Sequence, residues 1–194
     1  MNARAFALLV SAFTCFSSMA EIDDFAGPSV GASYTFIDSS FQRVYNNTSL
    51  TASATDQALV FKGKYFWSLD RGRYLGMGFD YGSQRYRAGA IGSSVHYVNR
   101  TATLSLLPAV RVGSEYLLYG KLAYAYGEGK TSTGTKTQEG NGWQYGVGLL
   151  RKLGSNFYGE VELSRTDYDD MSSGSVTYMS NVANRLAMGI GYRF

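Results

Sequence analysis

The sequence predicts an all-β fold, an eight-stranded antiparallel up-and-down transmembrane β-barrel. Three observations predict it. Bulky apolar residues alternate with small or polar ones, at a period of two, along about eight segments. The connections between these segments alternate between short and long. The 194 residues include 16 Tyr, 11 Phe and 23 Gly but only 2 Pro, and the aromatics fall on one side of the alternation. The mean hydropathy of −0.16 resembles that of a soluble protein. An alternating strand averages to nothing on such a scale, so the value does not argue against a membrane.

The first twenty residues, MNARAFALLVSAFTCFSSMA, read as a signal peptide. Arg4 supplies the basic start, 5–16 the apolar run, and Ser18 and Ala20 the small residues before a cleavage site after Ala20. The run is too short for a spanning helix. Phe13 and Thr14 before Cys15 do not suit a lipoprotein site. Cleavage would leave one domain, 21–194, with no cysteine and therefore no disulfide or thiol chemistry. It would lower the formal net charge from +3 to +2, which excludes a polybasic nucleic-acid binder.

Each segment then has two faces. SVGASYTFI sets Val30, Ala32, Tyr34 and Phe36 against Gly31, Ser33 and Thr35. ALVFKGKYFW sets Leu59, Phe61, Tyr65 and Trp67 against Lys62 and Lys64. RYLGMGFDYG sets Leu75, Met77, Phe79 and Tyr81 against Gly76, Gly78 and Asp80. NRTATLSLL sets Leu104 and Leu106 against Thr103 and Ser105. LLYGKLAYAY sets Leu118, Leu122, Tyr124 and Tyr126 against Tyr119, Lys121 and Ala123. GWQYGVGLL sets Trp143, Tyr145, Val147 and Leu149 against Gln144, Gly146 and Gly148. FYGEVELSR sets Phe157, Val161 and Leu163 against Glu160 and Glu162. RLAMGIGYRF sets Leu186, Met188, Ile190, Tyr192 and Phe194 against Ala187, Gly189 and Gly191. Pro108 cannot donate to a ladder and is expected to end the fourth strand.

Short connections fall near 68–72, 109–115 and 151–156. Long polar ones fall near 38–56, 84–97, 127–141 and 169–181. Splitting 38–56 would give a ten-strand alternative. Bulky residues outside and small residues inside suit a tightly curved wall facing lipid. Strands in a bilayer must close, because no water satisfies a free edge. An even number of strands puts both termini on one side, and Tyr34, Trp67, Tyr81, Trp143 and Tyr192 suit interfacial girdles.

The exported eight-strand pattern resembles the small outer-membrane barrels of the opacity-protein and OmpA/OmpX/Ail type. GWQYGVGLL followed by NFYGEVELSRTDY, and the terminal MGIGYRF, carry the resemblance. It implies a Gram-negative outer membrane, periplasmic termini and four extracellular loops. It also implies that Met188, Ile190, Tyr192 and Phe194 form the signal read by the barrel-assembly machinery. A monomer in contact with outer-membrane lipid and lipopolysaccharide is expected, with no cofactor.

Charges of inward parity are Lys62, Lys64, Asp80, Lys121, Glu160, Glu162 and Arg185. An eight-strand barrel is just wide enough to be filled by its own side chains, so these are expected to form a paired network plugging the lumen. A narrow ion path is the alternative. The Gly pairs 76/78, 146/148 and 189/191 read as lumen space, since none opens a helix. GEGKTSTGTK at 127–136 lacks the glycine and the helix that a phosphate loop needs. His96, the sole histidine, stands near Ser94 without an evident acid partner, which is thin support for a lipid-modifying enzyme. Arg85, Arg87, Arg100 and Arg165 have outward parity near the extracellular rim and could meet lipopolysaccharide phosphates bidentately. Asn46 and Asn47 fit glycosylation patterns that a bacterial outer-membrane protein would not normally use. The expected role is therefore a non-enzymatic surface protein whose loops, with Phe41, Tyr45, Tyr86 and Tyr178, meet host or environmental ligands.

Overall fold

The computed structural model describes residues 25–45, 48–132, 137–173 and 176–194. The segment read as a signal peptide, and Asn46 and Asn47, lie outside the described residues. Ten strand segments follow in order: β1 (Gly27–Tyr45), β2 (Thr48–Asp70), β3 (Arg73–Gly82), β4 (Tyr86–Ile91), β5 (Ser94–Val112), β6 (Tyr116–Thr131), β7 (Thr137–Lys152), β8 (Phe157–Tyr168), β9 (Met171–Ser173) and β10 (Val176–Arg193). All pairings described are antiparallel, in the order β1-β2-β3-β5-β6-β7-β8-β10, and β1 pairs β10 to close the ring. Eight positions therefore surround the axis. β4 pairs β5 beyond the end of β3, and β9 pairs β10 beyond the end of β8. No split occurs in 38–56, where β1 and β2 pair continuously as one hairpin from Asp38↔Thr55 to Tyr45↔Thr48.

The four connections expected as long loops are largely strand. β2 has 23 residues, about twice what crosses a bilayer. The stretch Ser49–Ser53 is Ser, Leu, Thr, Ala, Ser, a composition that suits an extended ribbon in water as well as a loop. At the opposite end the connections are tight. Arg71 and Gly72 both take positive φ (51° and 74°), the twist that joins two antiparallel strands through two residues. Pro108 does not end its strand. β5 runs through it to Val112, and the β5–β6 ladder merely skips Leu107 and Pro108.

The predicted parity holds around the ring. Outward residues such as Phe61, Leu104, Leu122, Val147, Val161 and Ile190 are about half exposed, as a lipid-facing belt requires. Inward residues are buried in layers. Towards the tight turns the lumen is filled by Phe25, Phe66, Tyr74, Leu107, Leu117, Tyr119, Leu150 and Tyr158. Three of these aromatics lie over a directly paired glycine: Phe66 over Gly76, Tyr119 over Gly148, and Tyr158 over Gly191. A Cβ at Gly148 would stand 2.1 Å from the Tyr119 ring, and one at Gly191 would stand 2.2 Å from Tyr158. One glycine of each inward pair thus lies under a neighbouring ring, while Gly78, Gly146 and Gly189 stand beside Ser105, Ser164 and Ser33. Towards the long hairpins, Ile37, Ala58, Tyr86 and Ala183 form a second apolar layer, with Val98 and Tyr168 against it.

Candidate functional site

Between the two apolar layers lies a charged one. Lys62 and Lys64 come from β2, Asp80 from β3, Lys121 from β6, and Glu160 and Glu162 from β8. All six are buried. Period-two spacing on β2 and on β8 puts two like charges on the inner face of one strand, so each must find its partner across the lumen. Lys62 Nζ is 3.1 Å from Glu160 and 3.4 Å from Glu162. Lys64 pairs with Glu160. Lys121 Nζ is 2.9 Å from Glu162 and 2.5 Å from Asp80. Three ammonium groups thus meet three carboxylates, and the layer is neutral.

Tyr119 joins the charged layer to the aromatic one. Its hydroxyl is 2.7 Å from Glu162, contacts Glu160, and accepts from Lys64 Nζ at 3.5 Å. A phenol has one hydrogen to donate, so it serves one carboxylate at a time and the lysines supply the remaining donors. Lys64 Nζ also stands 4.9 Å from the Tyr119 ring centroid. Tyr119 carries no charge that would single it out, and its signal in the sequence is the inward parity it shares with Lys121.

Arg185 is inward but stands outside this network. It lies nearer the long hairpins, where its Nη2 donates to Tyr168 at 3.1 Å. At the other end, the hollow bounded by Phe25, Ser29, Phe66, Leu150 and Tyr158 measures about 20 Å³. That is room for about one water, not for a column of them.

The four rim arginines are all exposed, but they do not form one collar. Arg85 stacks on Tyr97, with its guanidinium 4.3 Å from the ring centroid. Arg87 lies opposite Tyr97 in the β4–β5 ladder. Arg100 is further along β5, 3.8 Å from Glu128. These three share one flank. Arg165 is on β8, across β6 and β7, and its Nε donates to Asp167 at 2.8 Å. Asp167 also accepts from the Tyr145 hydroxyl at 3.0 Å.

His96 does not face lipid. A bulge between Val98 and Arg100 turns the alternation of β5 over, and a second bulge between Arg87 and Gly89 does the same in β4. His96 consequently packs inward, edge-on to Phe41 with ring centroids 4.9 Å apart. Burial and the positive charge of Arg43 hold its pKa below the ordinary value. Ser94 pairs with Ile91 beside the hairpin turn. The Gly-Lys-Thr of 129–131 lies at the end of β6, in a strand.

Met188, Ile190, Tyr192 and Phe194 face outward at the closing seam. The rings of Phe157, Tyr192 and Phe194 meet edge to face at 5.2 and 5.3 Å. Phe194 N donates to Pro28 O at 3.1 Å and extends the β10–β1 pairing to the last residue.

The model of the outer membrane protein beta-barrel domain matches residues 6–194. The chain belongs to that family. Family membership agrees with the closed ring of eight and with the apolar outer belt, and it indicates the Gram-negative outer membrane. No curated protein matches the chain by sequence. Three solved structures are similar to this outer-membrane barrel. Ail, the attachment invasion locus protein of Yersinia pestis, seen in complex with the heparin analogue sucrose octasulfate, is 17% identical, with 86% of this chain and 99% of that one covered and a TM-score of 0.53. Neisserial surface protein A is 10% identical, with 86% and 97% covered and a TM-score of 0.60. OprG from Pseudomonas aeruginosa is 14% identical, with 87% and 96% covered and a TM-score of 0.59. At these identities the likeness shows the fold.

Proposed function

We propose that the protein is a non-enzymatic, surface-exposed barrel whose role is carried by its extracellular hairpins, with its lumen serving as a structural plug. The observation that carries this reading is the neutral, fully buried charge layer contributed by four strands and backed by an aromatic layer. A water path would need these charges solvated and separable. Here each is held by an opposite charge, and Lys62, Lys121, Glu160 and Glu162 each meet two. The strands meanwhile continue well past the apolar belt and present ordered ribbon for contact with a host or environmental ligand. Ail, seen with a heparin analogue, is a precedent for a barrel of this fold meeting a polyanion.

Export through a signal peptide cleaved after Ala20, insertion by the assembly machinery through Met188, Ile190, Tyr192 and Phe194, and a monomeric state complete the proposal. Arg85, Arg87 and Arg100 on one flank, and Arg165 on another, are assigned to lipopolysaccharide phosphates. Guanidinium pairs with phosphate bidentately at this depth, and the exposed side chains support it. Changing all four to Gln is expected to weaken the dependence of refolding on lipopolysaccharide, and an unchanged dependence would sink that assignment.

The deciding experiment is conductance of the refolded chain in a planar bilayer, with insertion checked by the heat-dependent gel shift of a folded barrel. An inserted, silent barrel is expected. Steady, salt-dependent openings would replace this reading with the narrow channel.

A further inference from the structure

The outer wall carries a hollow that the lumen and the hairpins do not explain. It measures about 500 Å³ and lies on β3, β5, β6 and β7 near the periplasmic turns. Its floor is low for a reason the sequence supplies. Gly120 has no side chain to raise it, and Pro108 beside it lacks the N–H that would draw β5 onto β6. A Cβ at Gly120 would only touch Pro108, at 3.7 Å. Val110, Leu118 and Val147 wall the hollow, each about half exposed.

Its mouth is basic. Arg73 lines the hollow at the first outward position of β3, directly opposite Val110. Arg71 lies two residues before it in the turn, and Arg111 is tied to that turn by the bond from its N to Gly72 O at 2.7 Å. Among the described residues, Arg71 is met by Asp70 at 3.5 Å, while the side chains of Arg73 and Arg111 meet no carboxylate. Among the described residues, the side chains of the periplasmic rim lean the same way, with basic Arg71, Arg73, Arg111, Arg151, Lys152 and Arg193 against acidic Asp70 and Glu115. A second hollow, of about 630 Å³ nearer the extracellular side, offers no such unpaired cation. It is lined by Lys121, Arg165 and Arg185 with Asp38, and Lys121 is held by Asp80 and Glu162, Arg165 by Asp167, and Arg185 by the Tyr168 hydroxyl.

We propose that the hollow around Pro108 and Gly120 is a binding groove for one phospholipid of the periplasmic leaflet bearing an anionic head. Its phosphate is taken by Arg73, and an acyl chain lies over the glycine and proline floor. Burying methylene groups against Leu118 and Val147 supplies the apolar part of the attraction. The guanidinium supplies the preference for an acidic lipid. Such a lipid would cover the stretch of the β5–β6 seam where Leu107 and Pro108 are unpaired.

The test is native mass spectrometry of the full chain refolded into nanodiscs of phosphatidylcholine containing a minor fraction of phosphatidylglycerol. The expected result is one retained phosphatidylglycerol per barrel. Arg73→Gln should lower that enrichment roughly tenfold, the scale of one charged hydrogen bond. Arg73→Lys should keep most of it. Gly120→Leu, whose side chain points into lipid, should lower retention of both lipids while the heat-dependent gel shift shows a folded barrel. Retention in Arg73→Gln and Gly120→Leu equal to the parent would overturn the proposal. So would a parent barrel that shows no preference between the two lipids.

Discussion

Along β8, Glu160 and Glu162 are 5% and 3% exposed, while Val161 between them is 47% exposed. One strand thus buries its charges and exposes its valine, the reverse of a water-soluble sheet. The two faces are stabilised by different means. The outer face meets lipid, which rewards apolar surface of almost any shape. The inner face is a closed volume with fixed partners. Removing a side chain there leaves an unpaired charge or a void, and nothing outside can relax to replace it. Inner positions should therefore be far less tolerant of substitution than outer ones.

The largest effect should come from breaking the charge layer. Glu162→Ala takes one of two carboxylates from both Lys121 and Lys62, removes one acceptor of Tyr119, and leaves three buried ammonium groups to two carboxylates. It should cost about 3–5 kcal/mol in urea unfolding of the barrel in lipid. Asp80→Ala should cost clearly less, because Asp80 meets Lys121 alone, whereas Glu162 meets two lysines and Tyr119. Equal costs would mean that the six groups do not act as the paired layer described. On the outer face the most severe change is a charge near the middle of the belt. Val161 lies halfway between Phe157 and Arg165, and Val161→Arg should cost about 2–4 kcal/mol in the same assay. Val161→Leu should be close to neutral. A cost for Val161→Leu that matched Glu162→Ala would break the distinction between the faces.

A finer comparison uses two glycines. Gly148 faces in, under Tyr119, and Gly63 faces out with nothing within 4 Å of a built Cβ. Gly148→Ala must displace the Tyr119 ring from its carboxylates, which should cost about 1–3 kcal/mol. Gly63→Ala should be neutral or slightly stabilising, since a strand interior prefers a side chain. Near-equal stabilities for the two would show that Tyr119 is free to move.

Most of this pattern is legible in the sequence because period two is a local signal. Lys62, Lys64, Asp80, Lys121, Glu160 and Glu162 are placed inward by parity alone. Parity does not say how high along the barrel a residue sits, because height depends on the stagger between strands. Arg185 shares the parity of Ala187 and Gly189, yet its level belongs to Tyr168 and not to the lysines. Apart from Tyr119, the aromatic layer is hidden for a different reason. Bulk by itself suggests an outward position, although Phe66 follows Lys64 by two, Tyr158 precedes Glu160 by two, and Leu117 lies four before Lys121. The hairpin extensions resemble loops in the sequence because Ser, Thr and Asn on both faces leave period two without contrast. The bulges at 88 and 99 change parity with no mark in the composition.

The smallest effect concerns one place where an inward position is half open to water. His96 packs on Phe41 within the long hairpins, opposite Gly89 in the ladder. Its folded-state pKa is lowered, by burial first and then by Arg43. The neutral imidazole is therefore the form that the packed hairpins favour. The unpacked hairpins take up a proton first as pH falls through the ordinary histidine value of about 6.5. Stability from this contact is fully present above that value and is lost as pH falls below it. Backbone order around Phe41, Ala52, Gly89 and His96, followed by NMR relaxation, should be higher near pH 8 than at about pH 5. His96→Phe, which cannot titrate and can keep the edge-on contact, should hold the same order at both. The charge layer in the lumen gives a control, because the transmembrane strands should show no change over this interval. If His96→Phe and the parent lost order alike, the cause would lie in the carboxylates of the hairpins, and the imidazole would have no part in holding them together.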